Sequence, residues 1–151
     1  MSFLSKLFGP PVPSIDATAL QAKLNEKPKP FVLDVREPSE YSAGHIAGST
    51  LLPLHQLSGR MNELPKDREI VCVCASGSRS SSAAHQLAGS GYTVLNLSGG
   101  MGHWQRAKLP VKKGAASNRF HHTTNGLRRQ ITAESVVFSR LADMEIRPTT
   151  A

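Results

Sequence analysis

Residues 69–74, EIVCVC, constrain the fold more than any other stretch of the chain. After the glutamate there is no polar alternation, so both faces of this strand must be covered. That is the pattern of a parallel sheet between helices, since a half-exposed strand would alternate with period two. The runs FVLDVR (31–36), TLLPL (50–54) and YTVLNL (92–97) have the same short, β-branched and apolar character. Helical patterns separate them. SIDATALQAKLNE predicts a helix over 17–25 with Asp16 as N-cap. EPSEYSAGHIAGS contains one helical turn around 39–42, and HQLSGRMNELP a modest helix stopped by Pro65. SRSSSAAHQLAGSG has a serine-rich start and a glycine stop, and SGGMGHWQRAKLP is a glycine turn leading to a closing helix. Strictly alternating strands and helices specify an α/β domain with a mostly parallel sheet and helices on both faces.

The chain has 151 residues, enough for one ordinary domain. The expected domain spans 14–111. Before it, residues 1–13 place Phe3, Leu4, Leu7 and Phe8 at helical spacing, but Lys6, Gly9 and three prolines interrupt them. This is too short for a signal peptide and is expected to pack weakly. After it, residues 112–151 form a polar, flexible, basic tail. Val137, Leu141 and Met144 mark one short helix there, about 133–144. The formal charge is +7, and seven of the 18 Lys and Arg residues lie beyond residue 110. No basic stripe is interleaved with aromatics, so no nucleic-acid partner is expected. No apolar run is long enough for stable membrane insertion. The two cysteines cannot build a disulfide framework, and a reducing, cytoplasmic setting is the expectation. No second Cys pair or close histidine gives a metal set.

Cys74 ends its strand where parallel sheets place their ligands, at the carboxyl edge. Ala75, Ser76, Gly77, Ser78 and Arg79 follow, and then a helix. Small side chains and a glycine let the backbone curl so that several N–H groups point inward, above a helix N-terminus. A cysteine at the base of such a loop has its thiolate stabilised, and Arg79 can brace the loop or meet an oxyanion. Cys72, inside the strand, is expected to behave as a small hydrophobe.

Three stretches together resemble the single-domain rhodaneses. LDVREPSEYSAGHIAGS (33–49) carries Asp34, Arg36, Glu40, Gly44, His45, Ile46 and Gly48. CASGSRS (74–80) is similar to the active-site loop, and LSGGMGHW (97–104) to the closing signature with Gly99, Gly100 and Trp104. The resemblance covers about residues 15–110. It implies a five-stranded sheet and sulfurtransferase activity without a cofactor, in which Cys74 takes a sulfane sulfur from thiosulfate or a persulfide, holds it as a persulfide stabilised by the amides of residues 75–79, and passes it to cyanide, a thiol or a protein acceptor. The sequence departs from many single-domain members at Ala75, where they carry a basic residue, which points to a modest use of thiosulfate.

Asp34 and Arg36 are expected in supporting roles, Asp34 as a structural anchor, and Arg36 and Glu40, four apart, as a simple pair. His45 is expected to make a structural hydrogen bond at a turn, and Trp104 to sit in the core. Two other functions compete. One is a persulfide carrier or regulatory docking module. The other is a phosphatase or arsenate reductase of the same fold, whose relatives have a loop one residue longer than the six residues from Cys74 to Arg79.

Overall fold

The structure is a computed structural model and describes residues 11–117. The first ten residues and the tail from residue 118, with the helix expected at about 133–144, lie outside the described residues.

Five strands form one sheet: β1 (Ser14–Ile15), β2 (Phe31–Asp34), β3 (Thr50–Leu51), β4 (Ile70–Val73) and β5 (Val94–Leu97). Their spatial order is β1-β5-β4-β2-β3, and every pairing is parallel. Helices α1 (Ala17–Asn25), α2 (Pro38–Ala43), α3 (Leu54–Arg60), α4 (Ser78–Gly89) and α5 (Gly100–Arg106) lie between and after the strands, with a 3₁₀ turn at Met61–Glu63. The Asp16 side chain accepts from the Ala19 amide at 2.8 Å, so α1 starts where the sequence placed its cap. The expected strand at 50–54 shrinks to two residues. Pro53 has no N–H to give a ladder and instead stands at the N-cap of α3.

The period of two along each strand divides the core. Leu33, Ile70, Cys72, Cys74 and Val94 pack on one face against Leu57 of α3 and Ala83, Ala84 and Leu87 of α4. Val32, Val71, Val73 and Leu97 pack on the other against Leu20 of α1 and Met101 and Trp104 of α5. Each large apolar side chain buried in this way contributes about 1.5–3 kcal/mol, which is why β4, covered on both faces, tolerates no polar residue.

This order places the site. From β2 the chain crosses to β3 at one edge; from β4 it crosses the other way, to β5. The two adjacent strands with divergent exits leave a crevice at their carboxyl ends. Asp34, at the end of β2, is in register with Val73, at the end of β4. Residues 35–36 and the Cys74 loop therefore open into the same space. Beyond α5, Lys112 exchanges both backbone hydrogen bonds with His45, at 2.9 and 2.8 Å, and the Gly114 amide bonds to Ser42 O.

Candidate active site

Residue 74 leaves β4 and the backbone turns at once. Gly77 adopts φ +100°, a conformation that side-chain-bearing residues rarely adopt, and caps α4. The loop is stapled from the far side by the glycine turn after β5. The Met101 amide bonds to the carbonyl of Cys74 at 2.8 Å, and the Gly102 amide to that of Ala75 at 3.0 Å. A Cβ on Gly100 would stand 2.3 Å from the Cys74 carbonyl oxygen, and Gly100 has φ +54°. The two glycine-containing signatures thus meet, one requiring the other to have no side chain.

Within the loop the Cys74 sulfur accepts from the Gly77 amide at 3.0 Å and lies 3.3 Å from the Ser80 hydroxyl. Cys74 is fully buried, while Ala75, Ser76 and Ser78 are exposed. Burial alone pushes the thiol up. The Ser80 hydroxyl and the amides of Ser80, Ser76 and Gly77 outweigh it, and Cys74 lies below its ordinary value. Cys72 shares the burial without the donors. Burial and the nearby Cys74 charge push it up to about 12. Both cysteines are free.

Arg79 does not turn toward the sulfur. Its two terminal nitrogens meet the two carboxylate oxygens of Glu40, each at 2.8 Å, in a fork that joins the loop to α2. The pairing holds the Glu40 carboxyl down at about 2 and raises Arg79. The expected Arg36–Glu40 carboxylate pair does not form. Arg36 instead meets Asp34 through Nε and Nη2, the latter at 2.7 Å, and spends its remaining donors on the carbonyls of Glu40 and Gly44. The physical reason is that Arg36 precedes α2, which starts at Pro38, so helical i,i+4 spacing does not apply to it. Asp34, expected as a structural anchor, is buried and pairs with Arg36. His45 stacks on the Tyr41 ring with 3.7 Å between centroids, and its Nδ1 lies 2.8 Å from the Tyr41 carbonyl. Trp104 is buried and donates to Pro110 O.

Sequence reasoning missed two polar residues of the loop region, Ser80 at the sulfur and Asn96 behind Ser80. Ser80, directly after Arg79, is buried on the first turn of α4. Asn96, in β5, lies beneath it. The available signal was Asn96 itself, the one polar residue of VLNL on the face where Val94 is core. Among the described residues no group of His, Cys, Asp and Glu is gathered to hold a metal ion, and no helix is long and apolar enough to cross a membrane.

Residues 16–107 match the family described as Rhodanese-like domain. A protein of Allochromatium vinosum named Sulfurtransferase is 41% identical over 101 residues, covering 66% of this chain and 94% of that protein. The Thiosulfate sulfurtransferase GlpE of Ectopseudomonas mendocina is 37% identical over 87 residues, covering 57% of this chain and 79% of that protein. The crystal structure of a rhodanese-related protein from Thermoplasma volcanium superposes with a TM-score of 0.64 at 32% identity, covering 68% of this chain and 99% of that one. An all-parallel five-stranded sheet, a cysteine at the end of its central strand within a loop of inward amides, and these likenesses have one reading: the chain belongs to the rhodanese-like domain family.

Proposed function

We propose that the protein is a sulfurtransferase working through a Cys74 persulfide. The observation that carries this reading is the sulfur at the end of β4, held by the Gly77 amide and beside the Ser80 hydroxyl. These dipoles favour the thiolate, which is the nucleophile. The thiolate attacks the outer sulfur of the donor. The donor's S–S bond breaks and its inner fragment leaves with the electron pair, as sulfite from thiosulfate or as a thiolate from a persulfide. Cys74 then carries the extra sulfur as an anionic persulfide, and the loop amides face that charge. A thiol or cyanide attacks the outer sulfur, and Cys74 leaves as the thiolate. No proton transfer is needed at Cys74 in either step. Because Cys74 has no exposed surface, each partner's approach requires a local opening above the sulfur.

The loop also bears on the donor. Residue 75 is alanine, and Arg79 is engaged at both ends of its fork by Glu40. The loop therefore presents neutral dipoles rather than an uncompensated cation, which suits a singly charged persulfide better than a thiosulfate dianion. A phosphoryl substrate is disfavoured for the same reason, since Arg79 is the fork that would have to grip it.

The test is sulfur loading. Reduced protein is incubated with thiosulfate or with a small thiol persulfide, desalted and weighed intact without reductant. The expected result is a gain of one sulfur, faster from the persulfide, absent in Cys74→Ser with Cys72 left in place, and reversed by cyanide. No gain from either donor, or a gain that survives Cys74→Ser, overturns the reading.

A further inference from the structure

Below the Cys74 loop, Asn96 touches two of the residues that touch the sulfur, Gly77 through its carbonyl and Ser80 through its hydroxyl. Its Nδ2 donates to the Gly77 carbonyl at 3.2 Å, and its Oδ1 lies 2.6 Å from the Ser80 hydroxyl. The first contact fixes the second. A carbonyl can only accept, so Nδ2 must face Gly77, and Oδ1, an acceptor, must face Ser80. Ser80 in turn has one proton and two acceptors within reach, Oδ1 of Asn96 at 2.6 Å and Sγ of Cys74 at 3.3 Å. It cannot serve both.

We infer that Asn96 is a positioning residue that acts through Ser80: it holds the single hydroxyl proton when the Cys74 sulfur is uncharged and yields it when that sulfur becomes anionic. Its effect on the sulfur has a definite sign. Turning the proton to a thiolate leaves two oxygens 2.6 Å apart with no hydrogen between them, so Asn96 opposes the thiolate that Ser80 stabilises. The meaning for turnover rests on the sulfur-transfer reading above. In the persulfide the charge sits on the outer sulfur, and Sγ is a poor acceptor. The hydroxyl then points at Asn96. When the acceptor attacks the outer sulfur and the S–S bond breaks, the electron pair arrives on Sγ, and the hydroxyl rotates back toward it. No bond to hydrogen breaks.

The titratable groups around the sulfur do not compete for this role. Cys72 stands two residues back on the same strand face, Arg79 is locked to Glu40, and Asp34 and Arg36 close on each other. His103 of α5 lies over Gly99, where an added Cβ would meet its ring. Among the described residues, none of them bonds to Sγ.

The experiment measures the rate of Cys74 alkylation by iodoacetamide against pH, by mass, in wild type, Asn96→Ala, Ser80→Ala and the double variant. Asn96→Ala is expected to move the profile to lower pH by about half a unit, since it frees the Ser80 proton for sulfur, while Ser80→Ala moves it up by about one unit. In the Ser80→Ala background the downward shift from Asn96→Ala must vanish. A merely structural role gives an upward shift in both backgrounds, because the untethered Gly77 amide drifts from the sulfur, and that result overturns the inference. An unchanged profile overturns it too. Should Asn96→Ala not fold, the isosteric Asn96→Asp decides. Its stronger acceptor is expected to raise the profile more with Ser80 present than without it, and an equal rise in both backgrounds sinks the idea. Alkylation needs no sulfur donor, so a failure of sulfur loading leaves this test intact, and its own failure leaves sulfur loading untouched.

Discussion

Two neighbouring strands end in a buried acid, and they settle the resulting charge in opposite ways. At the end of β2, Asp34 is 1% exposed and is met by the guanidinium of Arg36, itself 5% exposed, whose spare donors go to two carbonyls. At the end of β4, Cys74 has no exposed surface and is met by amides and a hydroxyl. A full opposite charge ties up the carboxylate and leaves it inert. Dipoles stabilise the thiolate and keep it available, because an amide can follow charge from one sulfur to the next without leaving its place. The crevice therefore has a closed wall and, on the proposed function, a reactive wall, both at the carboxyl edge of the same sheet.

Breaking the closed wall should damage folding most. Asp34→Ala strands the Arg36 cation in the interior and is expected to destabilise the protein by about 3–5 kcal/mol, read as a lower urea midpoint. A change of less than about 1 kcal/mol would show that the pair is only spectator geometry. Next comes Gly100→Ala, in which the new methyl collides with the Cys74 carbonyl. A loss of about 2–3 kcal/mol is expected, with loss of sulfur loading at temperatures where the variant is still folded. Ser80→Ala attacks the reactive wall alone. Its melting temperature should stay within a few degrees of wild type, while the sulfur-loading rate at pH 7 falls by roughly five- to tenfold as the thiolate fraction drops.

The smallest effect belongs to the pair that joins the two walls. The folded Glu40 carboxyl, at about 2, lies below its ordinary 4.5, so the stabilisation is complete above 4.5 and is lost as pH falls through 2. Glu40 and Arg79 keep 34% and 37% of their side chains exposed, and solvent screens them. Glu40→Gln should thus lower the melting temperature only slightly at pH 7, and the gap to wild type should close between pH 4.5 and 2 or in high salt. A gap that stays constant across that window would mean that the pair is not what Glu40 contributes.

What the chain discloses before folding follows from the range of each interaction. The strands, the Asp16 cap and the Cys74 loop are local patterns, and each appears where short-range chemistry puts it. Charge partners follow no single spacing. Glu40 finds an arginine 39 positions away, brought to it by the crossover connections between β2 and α4, while Arg36 takes Asp34, two residues back, rather than the residue four ahead. No helical spacing rule selects either partner. Asn96 was hidden for the same reason. Its polarity is visible in VLNL, but its purpose depends on a loop nineteen residues upstream. The residue that supports the loop from another strand is the one that only the assembled sheet reveals.

Among the described residues, the first strand is seated beside the last. Ser14 and Ile15 pair with Asn96 and Leu97, and the amides that staple the Cys74 loop come from residues 101 and 102. As the polypeptide leaves the ribosome, β1 emerges early and has no neighbour until β5 appears. Contacts so distant in sequence form late. A nascent chain that has reached α4 already displays Cys74, but it lacks Asn96 beneath the loop and the glycine turn above it. The surroundings of Cys74 are therefore complete only with the end of the domain, and while residues 75–102 are being added the growing protein carries two ordinary cysteines.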